Sequence, residues 1–186
     1  MNFRTAIPAL LAFILSSTPA AAQFGINEIR GGVLTQSCCG QGSNKEQGGS
    51  INFEALFKSP KFLSVIGAPR PLVGAAVATD SDATSQIYGG LEWRIHITER
   101  LFITGTGGAT VHNGEVDRFD PVADRNKASN TVFLGCRVLF RIGGDLGYEI
   151  SGRLDVSAHW NHISNAELCS SNEGLDHLGA RFGIKF

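Results

Sequence analysis

The feature that most constrains the fold is a period-two alternation of apolar and polar residues, which continues from Gln23 to the C-terminus. The final segment shows it most clearly. Apolar side chains occupy every second position from Leu178 to Phe186, and His177, Arg181 and Lys185 occupy alternate positions on the opposite face. Alternation with this period places successive side chains on opposite faces of a β-strand, whereas helices repeat every 3.6 residues. The sequence therefore predicts an all-β protein.

The number and spacing of these segments predict the architecture. Short turns at 98–100 and 151–153 contrast with the longer polar stretches 37–49, 114–129 and 165–175. The connection at 59–70 is the exception, because it lies on the side of the short turns but is long. Short turns on one side and long loops on the other are typical of outer-membrane barrels. We predict an eight-stranded antiparallel transmembrane β-barrel with strands at approximately 25–36, 50–58, 71–80, 85–97, 101–113, 130–149, 153–164 and 176–186.

The polar faces distinguish a membrane barrel from a soluble one. A soluble lipid-carrying barrel predicts an apolar lumen. In this chain most polar faces carry charges of both signs, which can neutralise one another in a narrow lumen filled by side chains. The charged residues are Glu28, Arg30, Glu54, Glu92, Arg94, Arg137, Arg141, Asp155 and Arg181.

The two chain ends indicate export to the outer membrane. Arg4, the short apolar run from Ala6 to Leu15 and the small residues before Gln23 predict a cleaved signal peptide at 1–22 and a barrel at 23–186. The terminal Phe186 resembles the signal that the barrel assembly machinery reads, so that machinery is an expected partner. A formal net charge of -1 gives no indication of nucleic-acid binding.

The four cysteines suggest a disulfide, since export leads to an oxidising compartment. In a closed barrel the first and last strands are neighbours, so we expect Cys169 to pair with Cys38 or Cys39. Cys136 is interpreted as a small apolar residue in the middle of the sixth strand. No cysteine spacing is typical of a zinc site.

Three residues with the potential for chemistry share one face, at the end of the seventh strand and the start of the eighth. His162 and Ser164 are two residues apart on the apolar side, about 6.6 Å along the strand. Counting back from Phe186 in steps of two places Asp176 on the same face. A hydroxyl, an imidazole and a carboxylate are the groups of an acyl-transfer triad. The alternative interpretation is that they lie beyond the membrane edge, where polar residues are ordinary.

Two further alternatives concern the same cluster. Glu173 is a rival acid, but its parity places it off the lipid-facing side. A metal site formed by His159, His162 and His177 has no ligand-spacing motif, and we expect none.

The run HISNA from His162 to Ala166, followed by NEGLD from Asn172 to Asp176 and a strand ending in Phe, resembles the C-terminal signature of the PagL lipid A deacylase family. The resemblance implies an outer-membrane serine esterase that removes an ester-linked hydroxyacyl chain from the 3 position of lipid A in lipopolysaccharide, without a cofactor. It also implies residue roles by position. Ser164 is the nucleophile, His162 the base and Asp176 the orienting acid, and the oxyanion site is shaped by Asn165, Asn172 and Gly174.

One departure from the family pattern keeps a second function open. The acid is Asp176, whereas the best-known members have Glu, which is one methylene longer. The alternative function is a non-catalytic structural or adhesion barrel in which the triad has drifted. The sequence does not indicate which acyl chain is removed, and it leaves open whether the barrel forms a homodimer.

Overall fold

The predicted strands form a closed antiparallel barrel in which each strand pairs with its neighbours along the chain and β1 pairs with β8. The computed structural model describes residues 25–38, 45–117, 120, 122–169 and 171–186, so the predicted signal peptide lies outside the described residues. The strands are β1 (Ile26–Gln36), β2 (Gly49–Phe57), β3 (Arg70–Ala78), β4 (Gln86–His96), β5 (Leu101–His112), β6 (Val138–Glu149), β7 (Leu154–Ser164) and β8 (Leu175–Lys185).

Seven of the eight strands begin and end within about two residues of their predicted bounds, and the sixth does not. β6 begins at Val138, because the preceding stretch forms a short helix, α1 (Arg125–Asn130), and an irregular segment at 131–137. The Asp124 side chain caps this helix by accepting a hydrogen bond from the Lys127 N–H at 3.2 Å. Arg137, predicted on the polar face of the sixth strand, instead donates to the carbonyls of His112 and Gly114.

The apolar residues of 131–137 explain why this stretch was mistaken for a strand. Val132 and Leu134 are two residues apart, as in a strand, but both are buried in a small apolar cluster with Leu139, Ile163 and Leu175. The two-residue spacing of Val132 and Leu134 therefore reflects their packing against the ends of β6, β7 and β8. We call residues 131–137 the bracing segment.

The barrel interior is a network of charged side chains. Arg30 contacts the carboxylates of Glu28 at 2.5 Å, Glu54 at 3.2 Å and Glu92. Arg181 lies on β8, next to the β1 strand that carries Arg30, and contacts Asp145 at 2.6 Å and Glu54 at 3.2 Å. Buried charges are tolerated when opposite charges and hydrogen bonds surround them. The prediction that both signs neutralise one another in the lumen is confirmed, and a lumen of this kind excludes the soluble lipid carrier.

The outer wall is apolar, as expected for a surface in contact with lipid. Large apolar side chains point outward from all eight strands and are at least one-third exposed. They include Val33, Phe53, Val73, Ile87, Ile103, Phe140, Leu146, Leu154 and Phe182. In the described part of the chain, no helix is long and apolar enough to cross a membrane.

We expect Arg181→Met to lower the free energy of unfolding by about 3–5 kcal/mol, because Asp145 and Glu54 would each lose one of the guanidinium groups that neutralise them in the lumen. Urea titration of the refolded protein in phospholipid vesicles measures this change. Arg153→Met, in an exposed turn, is the matched control and should have little effect. Equal stability of both variants would contradict a stabilising network.

Candidate active site

The site is built on the directly paired ends of β7 and β8. His162 and Asp176 are opposite one another in the strand register, and both point away from the lumen. His162 Nδ1 lies 2.9 Å from Asp176 Oδ1. A carboxylate can only accept, so Nδ1 carries the proton and, in the neutral ring, Nε2 is left as the basic nitrogen. The Asp176 side chain is fully buried and that of His162 is 12% exposed, so their contact is shielded while the ring keeps an accessible edge.

Ser164 lies on the same outward face, two residues beyond His162 at the extracellular end of β7. It is partly exposed, and its strand partner on β6 is Phe140. Among the described residues the Ser164 hydroxyl makes no hydrogen bond to the His162 ring. Such contacts are often long without substrate and tighten when it binds. The structure thus brings the predicted base and acid into contact and places the predicted nucleophile beside them.

Gly174 determines how close the β7–β8 loop comes to the imidazole. Its φ is +65°, a left-handed conformation that side chains rarely adopt, and a Cβ here would lie 2.8 Å from His162 Cε1. The ring also stacks on Trp160, with centroids 6.4 Å apart and an interplanar angle of 15°. Asp176, Gly174 and Trp160 therefore fix the imidazole from three directions.

The two asparagines have different structural positions in the loop. Asn165 is buried, and its Nδ2 group donates to the carbonyls of Leu134 and Ser171. The Asn165 main-chain N–H donates to Asn172 Oδ1 at 2.9 Å. Asn172 is exposed, and with its Oδ1 engaged, its Nδ2 group remains as a donor.

The bracing segment holds this loop from the side. Cys136 and Cys169 form a disulfide with Cα atoms 5.9 Å apart. The expectation that Cys169 pairs with Cys38 or Cys39 is therefore wrong, as is the placement of Cys136 in mid-strand. Both errors have the same cause: residues 131–137 fold over the barrel end instead of extending β6, which brings Cys136 to the last loop.

Glu173, the rival acid, is engaged elsewhere. Its carboxylate accepts a hydrogen bond from the Phe133 N–H at 2.8 Å and forms an ion pair with Lys45. It therefore ties the loop to the bracing segment and to the first extracellular loop. Within the described part of the chain, the carboxylate that contacts His162 is that of Asp176.

Two cavities on the barrel lie outside the site. A cleft of about 840 Å³ among the extracellular loops is lined by polar residues, and His162, Ser164 and Asp176 are not among them. A groove of about 340 Å³ lies on the outer wall nearer the end with the short turns, where it is lined by Leu146, Val156, Ala158 and Ala180 among others. Among the residues with described positions, no three His, Cys, Asp or Glu side chains are grouped to hold a metal ion.

The fold and the outward-facing site define an eight-stranded β-barrel of the outer-membrane type. Several solved structures of this type match the chain over most of their length. Their sequence identities to this chain are low, so these matches show the fold alone. The outer-membrane enzyme PagL matches at 15% identity with a TM-score of 0.60, covering 86% of this chain and 99% of PagL. Neisserial surface protein A matches at 12% identity with a TM-score of 0.54, covering 86% of this chain and 96% of that protein.

A third match is the N-terminal barrel of Pseudomonas aeruginosa OprF, at 10% identity and a TM-score of 0.52, with 87% of this chain and 99% of that domain covered. No curated protein sequence matches the chain. The family model described as lipid A 3-O-deacylase (PagL) matches residues 84–185, and the chain belongs to this family. The matched region contains the bracing segment and every candidate site residue.

Peptide mapping without reduction should recover one cross-linked peptide that joins Cys136 to Cys169. Mass spectrometry before and after reduction identifies the pair. A cross-link from Cys169 to Cys38 or Cys39 would contradict the position of the bracing segment.

Proposed function

We propose that this chain is an outer-membrane serine esterase that removes an ester-linked hydroxyacyl chain from the 3 position of lipid A. The observation that carries the proposal is the buried contact between His162 and Asp176 on the lipid-facing wall, with Ser164 beside it. Polar groups on such a surface are costly and are usually retained for function. Membership of the lipid A 3-O-deacylase family supports the choice of substrate.

The arrangement supports acyl transfer through a covalent intermediate. Ser164 Oγ attacks the ester carbonyl as His162 Nε2 removes its proton, and Asp176 stabilises the resulting imidazolium. The tetrahedral intermediate collapses when the bond to the sugar oxygen breaks, and that oxygen takes the proton from His162. A water molecule, deprotonated by His162, then hydrolyses the acyl-enzyme and releases a fatty acid.

The negative charge that develops on the carbonyl oxygen needs a donor close by. We assign this role to the Asn172 Nδ2 group, since the Oδ1 atom of that side chain is held by the Asn165 N–H. Asn165 positions Asn172 and anchors the loop through Leu134 and Ser171. Gly174 positions the imidazole and leaves room at its Cε1 edge.

The surroundings of the site suit a lipid substrate. The long loops identify the end of the barrel that carries Ser164 as the extracellular end, which is the outer-leaflet side. The wall next to the site is apolar, since Phe140, the strand partner of Ser164, is 53% exposed.

The shorter acid does not prevent contact with the base. Direct pairing of His162 and Asp176 across the strands brings the carboxylate within 2.9 Å, so the missing methylene is compensated by position. This geometry favours the esterase over the non-catalytic barrel, in which the contact would have no function to maintain it.

Ser164→Ala should reduce lipid A deacylation to background, because no nucleophile remains. Asp176→Asn should reduce kcat by about 10⁴-fold, since the imidazole would lose its orienting charge. Mass spectrometry of lipid A after incubation with each refolded variant detects the loss of one hydroxyacyl group and its position. Ser81→Ala, in an exposed loop, is the control. If the folded wild-type protein left lipid A intact, this result would contradict the esterase proposal and favour the non-catalytic structural barrel.

Gly174→Ala should also lower deacylation strongly while the barrel still forms, because the new methyl group would displace the His162 ring. Gly105→Ala is a matched control, since a Cβ at Gly105 meets no atom within 4 Å. Heat-modifiable migration on gels verifies folding of both variants. Normal activity of Gly174→Ala would show that the loop does not position the base.

A further inference from the structure

The connection between β2 and β3 differs from the other turns on its side of the barrel. It contains a 3₁₀-helix at Lys61–Ile66, whereas the β4–β5 and β6–β7 connections, 97–100 and 150–153, are tight turns. In an antiparallel barrel these three connections share one end, which the short turns identify as periplasmic. None of the features of the active site explains this helix.

The helix lies against the outside of the barrel wall. Trp93 on β4 points outward, and its indole Nε1 donates to the Ile66 carbonyl at 2.8 Å. Gly67 ends the helix in a left-handed conformation, with a φ of +89°, and a Cβ there would be 3.5 Å from the Trp93 ring. The chain therefore turns back beside the wall and does not extend into the periplasm.

The strand register provides the place where the helix lies. The β3–β4 pairing ends at Arg70 and Glu92, so the last residues of β4, from Trp93 to His96, extend beyond β3. The hydrogen bond from Trp93 to Ile66 holds the helix beside this uncovered part of the wall.

The helix exposes more apolar surface than its length would suggest. Phe62, Val65 and Ile66 are 73%, 87% and 49% exposed, and no residue of the helix is buried. Three large apolar side chains on one short turn form a patch that water solvates poorly. The patch is continuous with the apolar wall, because Trp93 lies beside it and Ile95 and Ile97 are exposed next to Trp93.

The charges around the patch match a lipid interface. Lys58 and Lys61, which flank the start of the helix, are both exposed. Short amphipathic segments with apolar side chains and lysines lie in the plane of the membrane, with their charges at the level of the phosphate groups. The indole of Trp93 is of the type that lies at this level in membrane barrels.

We propose that this 3₁₀-helix is an interfacial anchor, with Phe62, Val65 and Ile66 inserted among the acyl chains of the periplasmic phospholipid leaflet. Lys58 and Lys61 contact the phosphate groups of the same leaflet. The anchor fixes the depth of the barrel in the membrane and is independent of the proposed esterase.

A spin label at Val65→Cys tests the anchor in vesicles of phosphatidylethanolamine and phosphatidylglycerol. The described cysteines are all in disulfides, so an added cysteine can be labelled without reduction, and the unsubstituted chain gives the background. Accessibility of the label to oxygen, which partitions into lipid, is compared with accessibility to a water-soluble nickel chelate. Val73→Cys, on the lipid-facing wall, and Val122→Cys, in an extracellular loop, are the two references.

We expect the ratio of oxygen to nickel accessibility at position 65 to be several-fold higher than at position 122 and lower than at position 73, as for a shallow position in lipid. A ratio equal to that at position 122 would place the helix in water and overturn the anchor. Protection from both reagents would show that protein covers the patch, such as a second copy of the chain, and would also overturn it. Phe62→Cys provides the same measurement if Val65→Cys does not fold.

Discussion

The ion pair between Arg181 and Asp145 fixes the position of β8 relative to the rest of the barrel. Arg181 extends from β8 into the lumen, and its partners on β6 and on β2, two strands away on either side, are buried carboxylates. A shift of β8 by one residue would turn this guanidinium toward lipid, at a cost of several kcal/mol. The same register places Asp176 opposite His162 five residues earlier. The geometry of the outer site therefore depends on charges inside the barrel.

A second layer of support comes from the bracing segment. The segment contacts the β7–β8 loop at three points. Cys136 forms the disulfide with Cys169, the Leu134 carbonyl accepts from the Asn165 side chain, and the Phe133 N–H donates to Glu173. Below it, the cluster that includes Leu139 and Ile163 gives the extracellular end an apolar core. Loops on membrane barrels are otherwise exposed and mobile, and precise placement of a hydrogen-bond donor needs such fixed neighbours.

The sequence predicts the barrel and the facing of its residues because one physical requirement determines both. Every backbone group within the membrane must be paired, and each side chain must face either lipid or the lumen. Parity alone therefore places His162, Ser164 and Asp176 on one wall. It also places His177 inside, where its ring contacts Gln36 and Asn161.

The same rule gives no information where the chain leaves the membrane. Val132 and Leu134 have the spacing of a strand but pack in a loop, so both the start of β6 and the disulfide were predicted wrongly. The Asp124 cap was a local signal for the helix that interrupts this region. No local signal links Cys136 to Cys169, because their contact depends on how two loops fold over the barrel end. The roles of Asn165 and Asn172 likewise depend on loop contacts that parity does not describe.

The position of His162 and Ser164 on a convex wall has a consequence for kinetics. Enzyme sites usually lie in concave pockets that collect substrate from solution. A site on the outside of a barrel receives its substrate by lateral diffusion within one leaflet, and the released sugar moiety departs in the same plane. Its rate is then governed by the number of substrate molecules per unit area and by the viscosity of the leaflet. Such an enzyme responds to the composition of the membrane around it even when its own structure is unchanged.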